Sequence, residues 1–399
     1  MDKLRAYLNT PWPSPYRIFF SVGLLLGIAS IGIWAFFAFG TESLGFYPGF
    51  HHVFGVVSLF LGSFIVGFLL TALPRFTATN PANAILVYAI SFVCAAEVLA
   101  LIKNSPPTAL FLCSLKFLIL QAFAVSKIKN AKFNPPPSFL WIGAGLLSIV
   151  LGSAAKALVE IEVIQNQALA QFSHLAFTRG YILSLFMGVG SLLIPMLSGV
   201  RIAQPLQIQS GDATKKRTQE KLVHGILAVL FFAGLFLEAS YQSDLALEIG
   251  LFLQFFVVAT EVIVIWKMYR RPEATSRGRA LSISSWAMVV GFALAVVFPQ
   301  QRIHLLHIVY ILGFLGGTLA IGAHVLVNHE AMDQSLLKRK WPLGIVTLVV
   351  ILATALRILA PFWEIYYLSL IGTASTLLIF ALSLWGGYFV SPLWKRGPT

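Results

Sequence analysis

The sequence predicts an all-α integral membrane protein, a bundle of about 12 transmembrane helices with both termini in the cytoplasm. Hydrophobic residues make up 58% of the 399-residue chain and charged residues only 11%. Soluble domains are closer to a quarter charged, and a mean hydropathy of +0.84 is far above what they show. This composition excludes a soluble enzyme, a disordered tail and a disulfide scaffold.

Twelve apolar segments are long enough for a membrane crossing, which takes about 20 residues per helix. None alternates as a barrel strand does, so each is predicted to be a helix. Prolines separate several segments, including Pro74 after the second one. The short loops leave no room for a soluble domain, so we expect one transmembrane domain over residues 1–399. The segments lie at residues 18–39, 51–73, 81–102, 108–125, 137–158, 172–196, 222–240, 246–266, 280–298, 304–327, 342–360 and 366–389.

The distribution of positive charge supports this count and gives the orientation. With the N-terminus inside, 22 of the 28 lysines and arginines fall on the inner side. A miscounted helix would scramble this alternation, so the charges favour 12 helices and cytoplasmic termini. The net charge of +13 is then mostly a consequence of topology. A scaffold whose basic inner face binds anionic lipid or a protein partner remains a lesser alternative.

Histidines are the main chemical resource of the sequence, and five of the eight lie near the predicted outer boundary. Neutral imidazole is a suitable ligand for haem iron and for copper. We therefore predict that His52 and His307 are metal ligands, with His174 and His304 as spare ligands. A single boundary histidine, such as His51 or His304, can instead be an ordinary interfacial residue. The five are His51 and His52 at the second helix, His174 at the sixth, and His304 and His307 at the tenth.

Charged residues inside apolar helices form a second set of candidates. A charge within a bilayer costs a few kcal/mol and is usually paired or functional. A guanidinium binds carboxylates in a fork, so Arg179 is predicted to hold a haem propionate, with Lys156 as a second cation. Lys156 could also simply reach the outer interface, and Lys116 could form an ion pair with Glu97 of the neighbouring helix.

Other motifs are few. Cys94 and Cys113 both lie in apolar runs, which favours helix packing over a disulfide or metal motif. The sequence contains no phosphate-binding glycine loop. The embedded charges, together with Glu261, also permit a permease that uses intramembrane glutamate, lysine, arginine and histidine as a titratable pathway.

Four stretches of the chain resemble the NnrS family of bacterial membrane proteins. They are PYRIFF at 15–20, GFLLTALP at 67–74, LIPML at 193–197 and GTLAIGAHVLVNH at 317–329. The resemblance implies a haem- and copper-containing protein of the bacterial inner membrane. It also implies a role in the nitric oxide and nitrosative-stress response, with a small gaseous or redox ligand such as nitric oxide.

The resemblance carries over to individual positions only in part. The family opens its second helix with H-x-H-E, and His52 takes the first histidine. Phe54 and Gly55 stand where the second histidine and the glutamate are expected. His307 and His329 fall on family histidine positions, so His329 joins the predicted metal ligands. The chain is therefore a divergent member, in which haem is implied more directly than copper. No catalytic residue is indicated.

Overall fold

The computed structural model of the protein describes residues 10–12, 14–40, 46–200, 211–240, 243–339 and 341–395. The described chain is 84% helix and contains no strand, which confirms the predicted all-α class. Membrane topology and the orientation of the termini stay predictions. Five cations of the charge count lie outside the described residues, namely Lys3, Arg5, Arg201, Lys340 and Arg396.

Twelve helices of the described chain are long and apolar enough to cross a membrane, which confirms the predicted number. Most extend beyond their apolar segment by a few residues. At the C-terminal end of Pro106–Lys129, for example, Lys127 and Lys129 continue the last turn, where positive charge is favourable. The helices are α1 Pro15–Phe39, α2 Gly49–Thr77, α3 Ala84–Ile102, α4 Pro106–Lys129, α5 Phe139–Glu160, α6 Gln167–Leu197, α7 Lys215–Ser240, α8 Asp244–Ile265, α9 Ser276–Val297, α10 Pro299–His329, α11 Leu343–Leu359 and α12 Glu364–Trp394.

Pro74 does not break the chain where the sequence predicts. Helix α2 continues through this residue to Thr77. A proline removes one backbone donor from a helix, and that loss is most easily tolerated near the end. The Thr77 hydroxyl donates to the carbonyl of Leu73 at 2.8 Å, and the amide of Thr79 donates to the carbonyl of Pro74 at 2.9 Å. These bonds satisfy carbonyl groups of the last turn.

The chain divides into two compact units. In unit 1, α4 packs against α3 and α5, and α6 packs against α5 and α7. In unit 2, α9 packs against α10, and α11 packs against α12. Four helices contribute residues to both units, namely α1, α2, α6 and α8. The predicted single membrane domain therefore stays a prediction. Unit 1 comprises Met1–Phe19, Gly62–Leu192 and Ala203–Gly250, and unit 2 comprises Phe20–Leu61, Leu193–Ile202 and Leu251–Thr399.

Four of the described helices contain a π-helical segment. In a π-helix each amide bonds to the carbonyl five residues earlier. This arrangement is rare in proteins, and where it does occur it often lies at a functional site. The segments are Gly55–Leu61 in α2, Ala176–Gly180 in α6, Thr260–Ile265 in α8 and Ile308–Leu315 in α10.

Candidate functional site

His52 lies near the start of α2, in unit 2, with its ring half-buried. Its Nδ1 atom is 3.0 Å from the backbone carbonyl oxygen of Ser30 in α1. A carbonyl only accepts hydrogen bonds, so Nδ1 carries the proton and the lone pair of the neutral ring is on Nε2. Trp34, one turn along α1, packs edge-on against the same ring. Helix α1 thus fixes the tautomer of His52 and leaves Nε2 for a ligand.

Gly55 permits this contact between α1 and α2. A Cβ atom at position 55 would collide with the side chain of Ser30. The Ser30 hydroxyl itself donates to the carbonyl of Leu26 at 2.6 Å, so it is held in place. The glycine that replaces the expected family glutamate therefore lets Ser30 approach and orient His52.

His307 lies near the start of α10, also in unit 2 and also half-buried. Its Nδ1 atom is 2.7 Å from the carbonyl oxygen of Ile303, one turn earlier in the same helix. By the same argument Nδ1 donates and Nε2 holds the free lone pair. The ring of Tyr310 packs edge-on against His307, with the ring centroids 5.7 Å apart.

His304 has the opposite tautomer, although it lies only one turn from His307. The Nη1 atom of Arg357 in α11 is 3.0 Å from Nδ1 of His304. Arginine is always a donor, so Nδ1 of His304 accepts and Nε2 must carry the proton. A neutral imidazole in this state has no lone pair for a metal. His304 could therefore serve as the predicted spare ligand only by giving up Arg357.

His52, His304, His307 and Arg357 form a group in unit 2 that we call the histidine cluster. His307 lies close to the other three members, and Arg357 also lies close to His52. The members come from α2 and from the consecutive helices α10 and α11, which are far from α2 in the sequence. The structure thus brings together three of the predicted ligands and adds one arginine.

A π-helical segment begins directly after each of three predicted ligands. It starts three residues after His52, two after His174 and one after His307. The fourth segment contains Glu261, which the sequence also singled out. A π-helix changes the direction in which successive side chains project relative to an α-helix. Its recurrence at these positions supports a functional rather than an interfacial role for the histidines.

In unit 1, His174 lies near Lys156, Arg179 and Glu238. Arg179 donates to both carboxylate oxygens of Glu238, from Nη1 at 2.8 Å and from Nη2 at 2.9 Å. Both side chains are almost fully buried, so they form a compensated ion pair with fork geometry. A haem propionate at Arg179 would have to compete with Glu238 for the same donors.

Lys156 also has a protein carboxylate as its partner. Its Nζ atom is 3.2 Å from Oε1 of Glu160, one turn later in α5. Both side chains keep part of their exposure, and such pairs contribute little to stability. Both cations that the sequence assigns to haem propionates are therefore engaged within unit 1.

Lys116 and Glu97 form the ion pair that the sequence suggested. Their side chains meet at 2.6 Å between α4 and α3, and both are fully buried. Cys94 and Cys113 are buried close to this pair, in agreement with a packing role.

His329 lies at the opposite end of α10 from His307, roughly 30 Å away at the usual helical rise. It therefore cannot bind the same metal ion as His307, and as a ligand it would belong to a second site. His324, one turn before it, has its Nδ1 atom 3.1 Å from Nη1 of Arg277 in α9.

The donor atoms of the histidine cluster suit haem better than copper. Haem iron takes one or two axial ligands, and His52 and His307 offer two neutral Nε2 donors. Protein copper sites use about three donors. In the described parts of the chain, no group of three or more histidine, cysteine or acidic side chains is arranged to hold a metal ion. Phe54 and Gly55 stand at the positions of two expected donors and offer no metal-binding atom, which contributes to the absence of such a group.

Three residues of these arrangements were missed by sequence reasoning. Ser30 acts through its backbone carbonyl, which any residue could supply, so no signal could have indicated it. Arg357 was visible as an outer cation, but nothing links it to His304, 53 residues away. Glu238 is an acidic residue late in an apolar segment, the same signal that drew attention to Glu97, and it could have been found.

The fold defines a multi-pass α-helical membrane protein, and its histidine cluster brings together imidazole side chains from two separate helices. The chain belongs to the NnrS family, because the family model described as NnrS protein matches residues 10–396, nearly its whole length. This match confirms the resemblance found in the four sequence stretches. A comparison with curated proteins gives no match.

Proposed function

We propose that this protein binds haem in the bacterial inner membrane and takes part in the nitric oxide and nitrosative-stress response. Membership of the NnrS family supports the biological role. The observation that carries haem binding is the common state of His52 and His307. Each ring donates from Nδ1 to a backbone carbonyl and leaves Nε2 for iron. Hydrogen bonds of this kind fix the orientation of metal-bound histidines and raise their basicity.

This proposal gives a defined task to each of four residues. His52 from α2 and His307 from α10 would hold the porphyrin between two helices. Gly55 keeps α1 close enough for Ser30 to orient His52. Bound haem would supply an iron centre able to exchange an electron, or to take up nitric oxide in place of one of the two histidines.

The proposal places this centre near the outer face of the membrane. The positive-inside count puts the starts of α2 and α10 on that side. His174 and His329 remain candidates for a second site, with Lys156 and Arg179 beside His174. Copper is left out of the proposal, because it would need donors beyond those of the histidine cluster.

The permease alternative is less well supported by the geometry. The titratable pathway would use Glu97, Lys116 and Arg179, yet each of them is engaged in a buried ion pair. Separating such a pair is costly, so a structural role is favoured. The absorption spectrum of the purified protein distinguishes the two functions, because a permease would show no haem bands.

The test of the proposal is the absorption spectrum of protein purified after expression with adequate haem. We expect a Soret band and roughly stoichiometric haem by pyridine haemochrome assay. The variants His52→Ala and His307→Ala should each lose or shift the band. His51→Ala is the matched control, since His51 is adjacent but packs at a tilt against the ring of Phe46, with the centroids 4.3 Å apart. A colourless wild-type protein, or normal spectra in both ligand variants, would overturn the proposal.

A further inference from the structure

Arg357 is a half-buried cation of α11 without a carboxylate partner among the described residues. Its resolved hydrogen bond is to Nδ1 of His304 at 3.0 Å. Its electrostatic neighbours are the phenols of Tyr47 and Tyr367 and the imidazoles of His52 and His307. None of these groups is an anion at neutral pH, so the positive charge is not compensated by them.

The other cations inside apolar helices behave differently. Lys116 pairs with Glu97, Arg179 pairs with Glu238, and Lys156 pairs with Glu160. Charges removed from water are normally paired, because an uncompensated charge within a membrane protein costs several kcal/mol. Among the described residues, Arg357 thus stands out as an embedded cation with no carboxylate partner.

The geometry around Arg357 suits a carboxylate ligand. His304 occupies one N–H of Nη1 and so holds the guanidinium, and the described residues take up none of its other donors. A guanidinium binds a carboxylate through two parallel hydrogen bonds. His304, by accepting from Arg357, acts as the positioning residue for this fork rather than as a metal ligand.

We propose that Arg357, oriented by His304, binds a propionate carboxylate of the haem that His52 and His307 hold. This inference rests on the proposed function and names a residue that the sequence assigned no role. It transfers the propionate role from Arg179 to an arginine of the histidine cluster itself.

The test compares haem with haem dimethyl ester, in which both propionates are esterified. Each compound is titrated into haem-depleted full-length protein in detergent, and the dissociation constant is read from the Soret band. The wild type should bind haem about ten-fold or more tighter than the ester, the effect of a charge-assisted hydrogen bond. Arg357→Gln should bind both compounds about equally, with the ligation spectrum unchanged. Arg357→Lys should keep part of the preference.

One control variant separates this effect from a general loss of positive charge. Arg302→Gln removes a cation from α10, in the same unit, and should keep the preference for haem. As an independent readout, Arg357→Gln should lower the haem midpoint potential, because a positive charge near iron favours the reduced state.

The outcomes distinguish the inference from the proposed function. A wild type that binds neither compound overturns both. A wild type that binds haem and ester equally, as it would if Arg357 held a small anion from solution, overturns the inference alone. So does an Arg357→Gln variant that keeps the full preference for haem.

Discussion

The Nδ1 atom of His52 lies 3.0 Å from the carbonyl oxygen of Ser30, so a backbone group of α1 sets the state of an imidazole in α2. This relationship depends on Gly55, where any side chain would displace Ser30. The chain thus orients its first candidate ligand by close helix packing. The resemblance to the family had instead implied a glutamate at position 55.

Gly55→Ala should disturb both packing and ligation. The added methyl group forces Ser30 away, which we expect to cost about 1–3 kcal/mol, the usual range for overpacking. The haem spectrum should shift because His52 loses its acceptor. Gly143→Ala in α5 is the matched control, since nothing lies within 4 Å of its Cβ position. Thermal unfolding and absorption spectra measure both effects, and an unchanged Gly55→Ala protein would contradict this account of His52.

His304→Ala and His307→Ala should have different spectra although the residues are one turn apart. His304 accepts from Arg357 and has no lone pair to offer, so its loss should leave the axial ligands in place. His307→Ala should remove a ligand. Resonance Raman spectra of the two variants report the coordination number directly. Equal loss of ligation in both variants would show that His304 is also bound to iron.

We expect each member of the Lys116–Glu97 ion pair to be needed for stability only while the other member is present. Lys116→Met alone leaves a buried carboxylate without its partner and should cost about 3–5 kcal/mol. Lys116→Met combined with Glu97→Leu removes both charges and should recover most of that loss. Unfolding of the purified variants in detergent tests this. A double variant no more stable than the single one would point to a separate task for Lys116.

Arg179 should be structural, and haem binding should survive its replacement if the carboxylate is also removed. The double variant Arg179→Met with Glu238→Leu is expected to keep the wild-type preference for haem over its dimethyl ester. The single variant Arg179→Met should instead unfold more easily, because Glu238 is left buried without its partner. If the folded double variant lost the preference, the propionate would belong to Arg179, as the sequence suggested.

The sequence predicted the helical class and the number of helices well, because both follow from apolar length alone. It was less accurate where local rules compete with packing. The sequence predicts a helix break at Pro74, but the last turn of α2 continues through this residue. The extra turns at Lys127 and Lys129 were missed because charged residues end an apolar segment without ending the helix.

The sequence predicted which residue types form the candidate site, but it predicted only part of their hydrogen-bond and ion-pair partners. Histidines at the starts of α2 and α10 could be read from position, and the structure places His52 and His307 in one cluster. Tautomers could not be read, because they depend on atoms of distant residues such as Ser30 and Arg357. The fork between Arg179 and Glu238 shows the same limit, since the two side chains are 59 positions apart.

The most direct test of the central claim is the low-temperature electron paramagnetic resonance spectrum of the ferric protein. If His52 and His307 are both axial ligands, the wild type should give a low-spin signal. His52→Ala and His307→Ala should each give a high-spin signal, whereas His51→Ala stays low-spin. A high-spin wild type, or a low-spin signal that persists in either ligand variant, would contradict ligation by this pair.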